Sequence, residues 1–121
     1  MNKRPESVIQ KFRQFEPGEI GISSISVSEL QYGVAKSANP QRNQQRLYEF
    51  FIPFEILPYD ESASQAYADI RFQLEKKDKT VGALDMLIGA QALSLGLILM
   101  TNNEKEFRRI PGLKIENWAG Q

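Results

Sequence analysis

The spacing of apolar positions along this chain changes period repeatedly, and the changes mark its elements. Val8, Ile9, Phe12 and Phe15 recur at helical spacing behind Pro5, a residue suited to a first helical position, which predicts a helix over residues 5–15. Pro17-Gly18 stops it. Residues 19–23 are short and β-like. A second helix is then expected from about Val27 through Leu30, Tyr32, Val34 and Ala35. Asn39-Pro40, an N-cap residue followed by proline, starts a third, with Leu47, Phe50 and Phe51 on its buried side, so these two helices form a hairpin.

Residues 54–59 read as a strand, and Asp60 is placed to cap the helix whose stripe is Ala63, Ala66, Tyr67, Ile70 and Leu74. The polar run over residues 75–79 is its solvated end. Another helix is predicted from Leu84 to Leu95, closed by Gly96 in the left-handed cap position. Leu97-Ile98-Leu99-Met100 is a continuous apolar run, as expected of a strand buried on both faces. Asn102-Asn103 forms a turn, Glu104 opens a short helical turn through Phe107, and residues 114–118 close as an edge strand. Strands alternating with helices predict an α/β fold: a parallel sheet flanked by helices, in one domain over residues 1–121. Ligands of such sheets bind outside the carboxyl ends of the strands.

Composition narrows the chemistry. There is no cysteine and no histidine, so thiolate sites, imidazole bases and the commonest ligands for zinc or copper are excluded. The formal net charge is zero, so no general basic field gathers a polyanion. The longest apolar run falls far short of a spanning helix and the first residues lack the apolar stretch of a signal peptide; a cytoplasmic protein with no membrane association is expected.

Oxygen ligands remain, and three acids stand near helix starts: Glu29, Asp85 and Glu106. Each has a structural reading. Ser26-Val27-Ser28-Glu29 fits a capping box, Asp85 suits the first turn of its helix through the macrodipole, and Glu106 is compatible with simple solvation. Together they suit a hard divalent cation. Lys36, Arg42, Arg46, Arg71 and Lys79 are candidate phosphate contacts, with solvated surface charge the simpler reading of each.

Several segments in order carry a resemblance: residues 22–33, Ile56-Leu57-Pro58-Tyr59-Asp60, residues 66–71, the Asp85 helix, Thr101-Asn102-Asn103-Glu104-Lys105-Glu106-Phe107, and residues 112–118. The sequence resembles the PIN-domain ribonucleases and, among them, the VapC-like toxins of type II toxin–antitoxin systems. That resemblance implies a metal-dependent endoribonuclease using Mg²⁺ or Mn²⁺. It assigns Asp85, Glu29 and Glu106 to the metal and adds Asn103 to the catalytic set, at a position where many relatives carry aspartate. Thr101 and Asn102 are implied to shape the turn and contact substrate. The implied partners are RNA, a cognate antitoxin and a second copy in a homodimer. The family pattern also opens with an apolar strand ending in Leu-Asp-Thr-Asn, which does not precede Asn2-Lys3-Arg4-Pro5 here. Relative to that pattern the central first strand and the first metal-binding aspartate are missing, and weak activity of the 121-residue chain is expected. The competing reading is a non-catalytic remnant that binds an antitoxin or self-associates through the helix hairpin.

Overall fold

The computed structural model describes Gln14 and residues 19–117. The helix expected over residues 5–15 and the end of the closing strand at Trp118 lie outside the described residues. Those described from residue 19 onward divide into two units, 19–58 and 59–117.

In the first unit, β1 (Gly21–Ser23) leads directly into α1 (Ser24–Ala35), followed by α2 (Pro40–Phe51) and β2 (Glu55–Leu57). β1 and β2 pair in parallel, Gly21 opposite Glu55 and Ser23 opposite Leu57. The start of α2 is as expected: the Asn39 side chain accepts the Arg42 N–H at 3.2 Å, with Pro40 beginning the helix. Leu47 is buried, and the rings of Phe50 and Phe54 meet edge-on at 5.0 Å. The start of α1 is a correction. The helix begins at Ser24, not near Val27, because the Ser23 hydroxyl accepts the Ile25 N–H at 3.1 Å and so satisfies an orphan donor earlier in the chain. Ser28 lies inside the helix and donates back to the Ser24 carbonyl, so the capping box over residues 26–29 does not form.

The second unit runs α3 (Glu61–Lys76), α4 (Ala83–Ser94), β3 (Leu99–Met100), α5 (Glu104–Phe107) and β4 (Ile115–Glu116). Asp60 caps α3, accepting the Ala63 N–H at 3.0 Å, and the predicted stripe faces inward: Ala63, Ile70 and Leu74 are buried, Ala66 and Tyr67 partly so. α4 ends as expected. Gly96 has φ of +67°, and the N–H groups of Gly96 and Leu97 return to the carbonyls of Leu93 and Ala92, a Schellman closure. α3, α4 and α5 share one core of Ile70, Leu74, Val81, Met86, Ala90, Phe107 and Ile110.

β3 and β4 pair in parallel, Leu99 opposite Ile115. Residues 97–100 depart from expectation: only Leu99 and Met100 form strand, and Ile98 is 55% exposed. Within this unit β3 has β4 as its ladder partner, reached by the Leu99 and Thr101 N–H groups. No helix among the described residues is long and apolar enough to cross a membrane.

Leu74, 1% exposed at the meeting of α3 with the shared core, sets the stability of this unit. Leu74→Ala is expected to destabilise it by about 2–5 kcal/mol, read from the midpoint of urea denaturation.

Candidate metal centre

The second unit builds a polar cluster where the start of α4 meets the turn after β3. α4 begins at Gly82, which has no side chain with which to cap its own helix. The N–H of Gly82 itself finds its acceptor 24 residues further on, at Oε1 of Glu106 in α5. A Cβ at position 82 would lie 3.1 Å from that oxygen, so the bare glycine lets the carboxylate approach. Asp85 stands in the first turn of α4, half-buried, where the helix N-terminus favours negative charge.

Asn103 joins the two acids. Its Nδ2 donates to Glu106 Oε2 at 2.7 Å and, at a longer 3.4 Å, to Asp85 Oδ2. Asn103 is itself placed by Thr101, whose hydroxyl accepts the Asn103 N–H at 3.0 Å, so Thr101 shapes the turn as expected. Asn102 is exposed at that turn. The scaffold beneath is apolar: Asp85 precedes buried Met86, Glu106 precedes buried Phe107, and Val81 is buried just before Gly82. Asp85, Glu106 and Gly82 therefore each sit one residue from a core anchor.

The Glu106 carboxyl is held below its ordinary range, first by the Gly82 N–H and then by the Asn103 amide; partial burial opposes this, and Asp85 and the Arg109 charge lower it further. Glu104, two residues away, has a different task. It pairs with Arg108 at 3.0 Å and accepts from Asn117 at 3.2 Å. The residue that sequence reading missed is Arg109, whose Nη1 donates to the Thr80 carbonyl at 2.6 Å. Its partner is a backbone group 29 residues away, a pairing that leaves no local pattern to read.

Within this unit the structure thus brings together Asp85, Glu106 and Asn103, a group of two carboxylates among the described residues rather than three. Glu29 belongs to the other unit, exposed on the second turn of α1 rather than at a helix start. Arg71, one of the candidate phosphate contacts, is engaged on its own helix by Glu75 at 3.2 Å and by the Tyr67 hydroxyl at 3.1 Å. Asp85 and Glu106 offer carboxylate oxygens in a chain without imidazole or thiol, the donor chemistry of a hard divalent cation, while Asn103 turns its Nδ2 donor toward them.

The PIN domain model matches residues 2–113, and the chain belongs to the PIN-domain family, within it to the VapC ribonucleases. It is 40% identical over 119 residues to ribonuclease VapC2 of Rickettsia felis and 37% identical to the tRNA(fMet)-specific endonuclease VapC of Shigella flexneri, in both cases across 98% of this chain and 89% of the relative. Its structure is similar to a chain in the crystal structure of DNA-bound VapBC from Salmonella typhimurium, with a TM-score of 0.90 at 40% identity over 94% of this chain and 86% of that one. The resemblance in residues 22–33, 101–107 and 112–118 is thereby confirmed at the level of family.

Because the folded Glu106 carboxyl titrates below the ordinary 4.5, its stabilising contribution is complete above that pH and is lost as pH falls through the lowered value. Glu106→Gln is therefore expected to flatten the acid limb of stability against pH in urea titrations between about pH 3 and 6, whereas superimposable limbs would remove Glu106 from the clamp.

Proposed function

We propose that this chain is a metal-dependent endoribonuclease, the toxin of a toxin–antitoxin pair, which hydrolyses RNA phosphodiester bonds at Asp85, Glu106 and Asn103. The observation that carries the reading is the convergence of two carboxylates and one amide on the start of α4, in a chain 40% identical to a named ribonuclease. Asp85 and Glu106 are the proposed holders of Mg²⁺ or Mn²⁺, with Asn103 orienting them. When bound, the cation supplies charge neutralisation at the phosphodiester and activation of water. The protein's own contribution is preorganisation. Glu106 is fixed by the Gly82 N–H, Asn103 is fixed by Thr101, and Asp85 is fixed by the burial of Met86. Local positive charge at the metal gives a chain of zero net charge its hold on RNA. Thr101 and Asn102, at the rim of the turn, are the proposed substrate contacts. Glu29 is assigned to the same chemistry by the family resemblance. A cognate antitoxin and a second copy are the proposed protein partners, and the cytoplasm the proposed place of action.

The test is cleavage of a fluorescent RNA with Mn²⁺ against EDTA, for the parent and for Asp85→Asn. The deciding quantity is the ratio of the two rates. Asp85→Asn is expected to lower the rate by about a hundredfold or more at unchanged melting temperature. Cleavage that persists equally in the variant or in EDTA rejects the reading. Glu29→Gln, run alongside, is expected to lower the same rate; a parent-like rate removes Glu29 from the site.

A further inference from the structure

Two side chains of one short segment reach the backbone that leads into α4. Glu106 accepts the Gly82 N–H, and Arg109, three residues on, donates to the Thr80 carbonyl. The two share a face: the Arg109 N–H bonds the Glu106 carbonyl at 3.1 Å, closing the turn that follows α5. The strap is complementary in sense, an acceptor meeting a donor at residue 82 and a donor meeting an acceptor at residue 80. Its far side is anchored in the core, because Ile110, 2% exposed, follows Arg109 and packs against α4 where Gly89 leaves room; a Cβ at Gly89 would stand 2.5 Å from Ile110 Cδ1. Thr80 is itself exposed, so Arg109 adds to Glu106 and the burial of Val81 in holding the residues before α4.

We infer that Arg109 is a positioning residue: by holding the Thr80 carbonyl it fixes the segment 80–85 and with it the place of Asp85 beside Glu106. The inference rests on the ribonuclease reading for its consequence, and on the backbone geometry alone for its content. Arg109 makes its hydrogen bond to the Thr80 carbonyl; its charge, which also bears on Glu106, is kept in Arg109→Lys.

The experiment compares the parent with Arg109→Met, which keeps the aliphatic stem and removes the donors, and Arg109→Lys, which keeps the charge and one donor. Arg108→Met serves as control, since Arg108 pairs with Glu104 on the surface. Two quantities are read: amide hydrogen exchange over residues 82–86, and binding of Mn²⁺ alone by electron paramagnetic resonance. Arg109→Met is expected to speed exchange about tenfold and weaken Mn²⁺ about tenfold at a melting temperature close to the parent's, with Arg109→Lys between the two and Arg108→Met unchanged. Exchange and affinity within about twofold of the parent overturn the inference. Should Arg109→Met not fold, Arg109→Lys decides, a loss of about threefold supporting the inference and parent-like values overturning it. A parent that binds no Mn²⁺ sinks the ribonuclease reading instead, and the exchange measurement still judges Arg109.

Discussion

Placing two carboxylates together at the start of one helix is the constraint around which the second unit is organised. Asp85 and Glu106 repel each other whenever both are ionised, and neither has a histidine or cysteine neighbour to share the load. The fold answers with donors. The Gly82 N–H, left uncapped by its own residue, takes Glu106, and the Asn103 amide takes both acids. Helix α4 is thus capped by a carboxylate that belongs to a different element, so the local stability of the helix start and the electrostatics of the site are one interaction. Loss of either partner disturbs both.

Apolar packing decides where that interaction sits. Val81 and Met86 bracket the start of α4, Phe107 follows Glu106 and Ile110 follows Arg109, all four buried in the same core. Asp85, Glu106 and Arg109 are each adjacent in sequence to an anchor. This is why a short α5 of four residues, too short to be stable by itself, holds a defined carboxylate: its position is inherited from Phe107.

What could be read from sequence was whatever is written locally. Asn39 and Asp60 announce their helices because a cap is a contact three residues long, and Gly96 announces the end of α4 because a left-handed residue is cheapest as glycine. Asp85 was legible as a lone acid in an apolar helix. The start of α1 was misread because three serines compete for one cap and only geometry selects Ser23. The run at residues 97–100 was misread for a different reason. Apolar character records what a strand can bury, whereas its exposure depends on which neighbours pair with it, and within this unit β3 has a partner on one edge. Arg109 was invisible because its partner is a main-chain carbonyl, which every residue but none in particular offers.

The neutrality of Asn103 decides how the cluster is held together without a cation. A carboxylate at this position would accept and not donate, and would add a third negative charge beside Asp85 and Glu106. The amide instead supplies N–H groups to both acids, its Nδ2 turned toward them. The cluster is therefore stable as a hydrogen-bonded set in its own right, and a divalent cation would compete with those hydrogen bonds rather than merely relieve repulsion. On the proposed reading, a cation would be bound at the expense of those hydrogen bonds, which lowers the intrinsic affinity of the site for it.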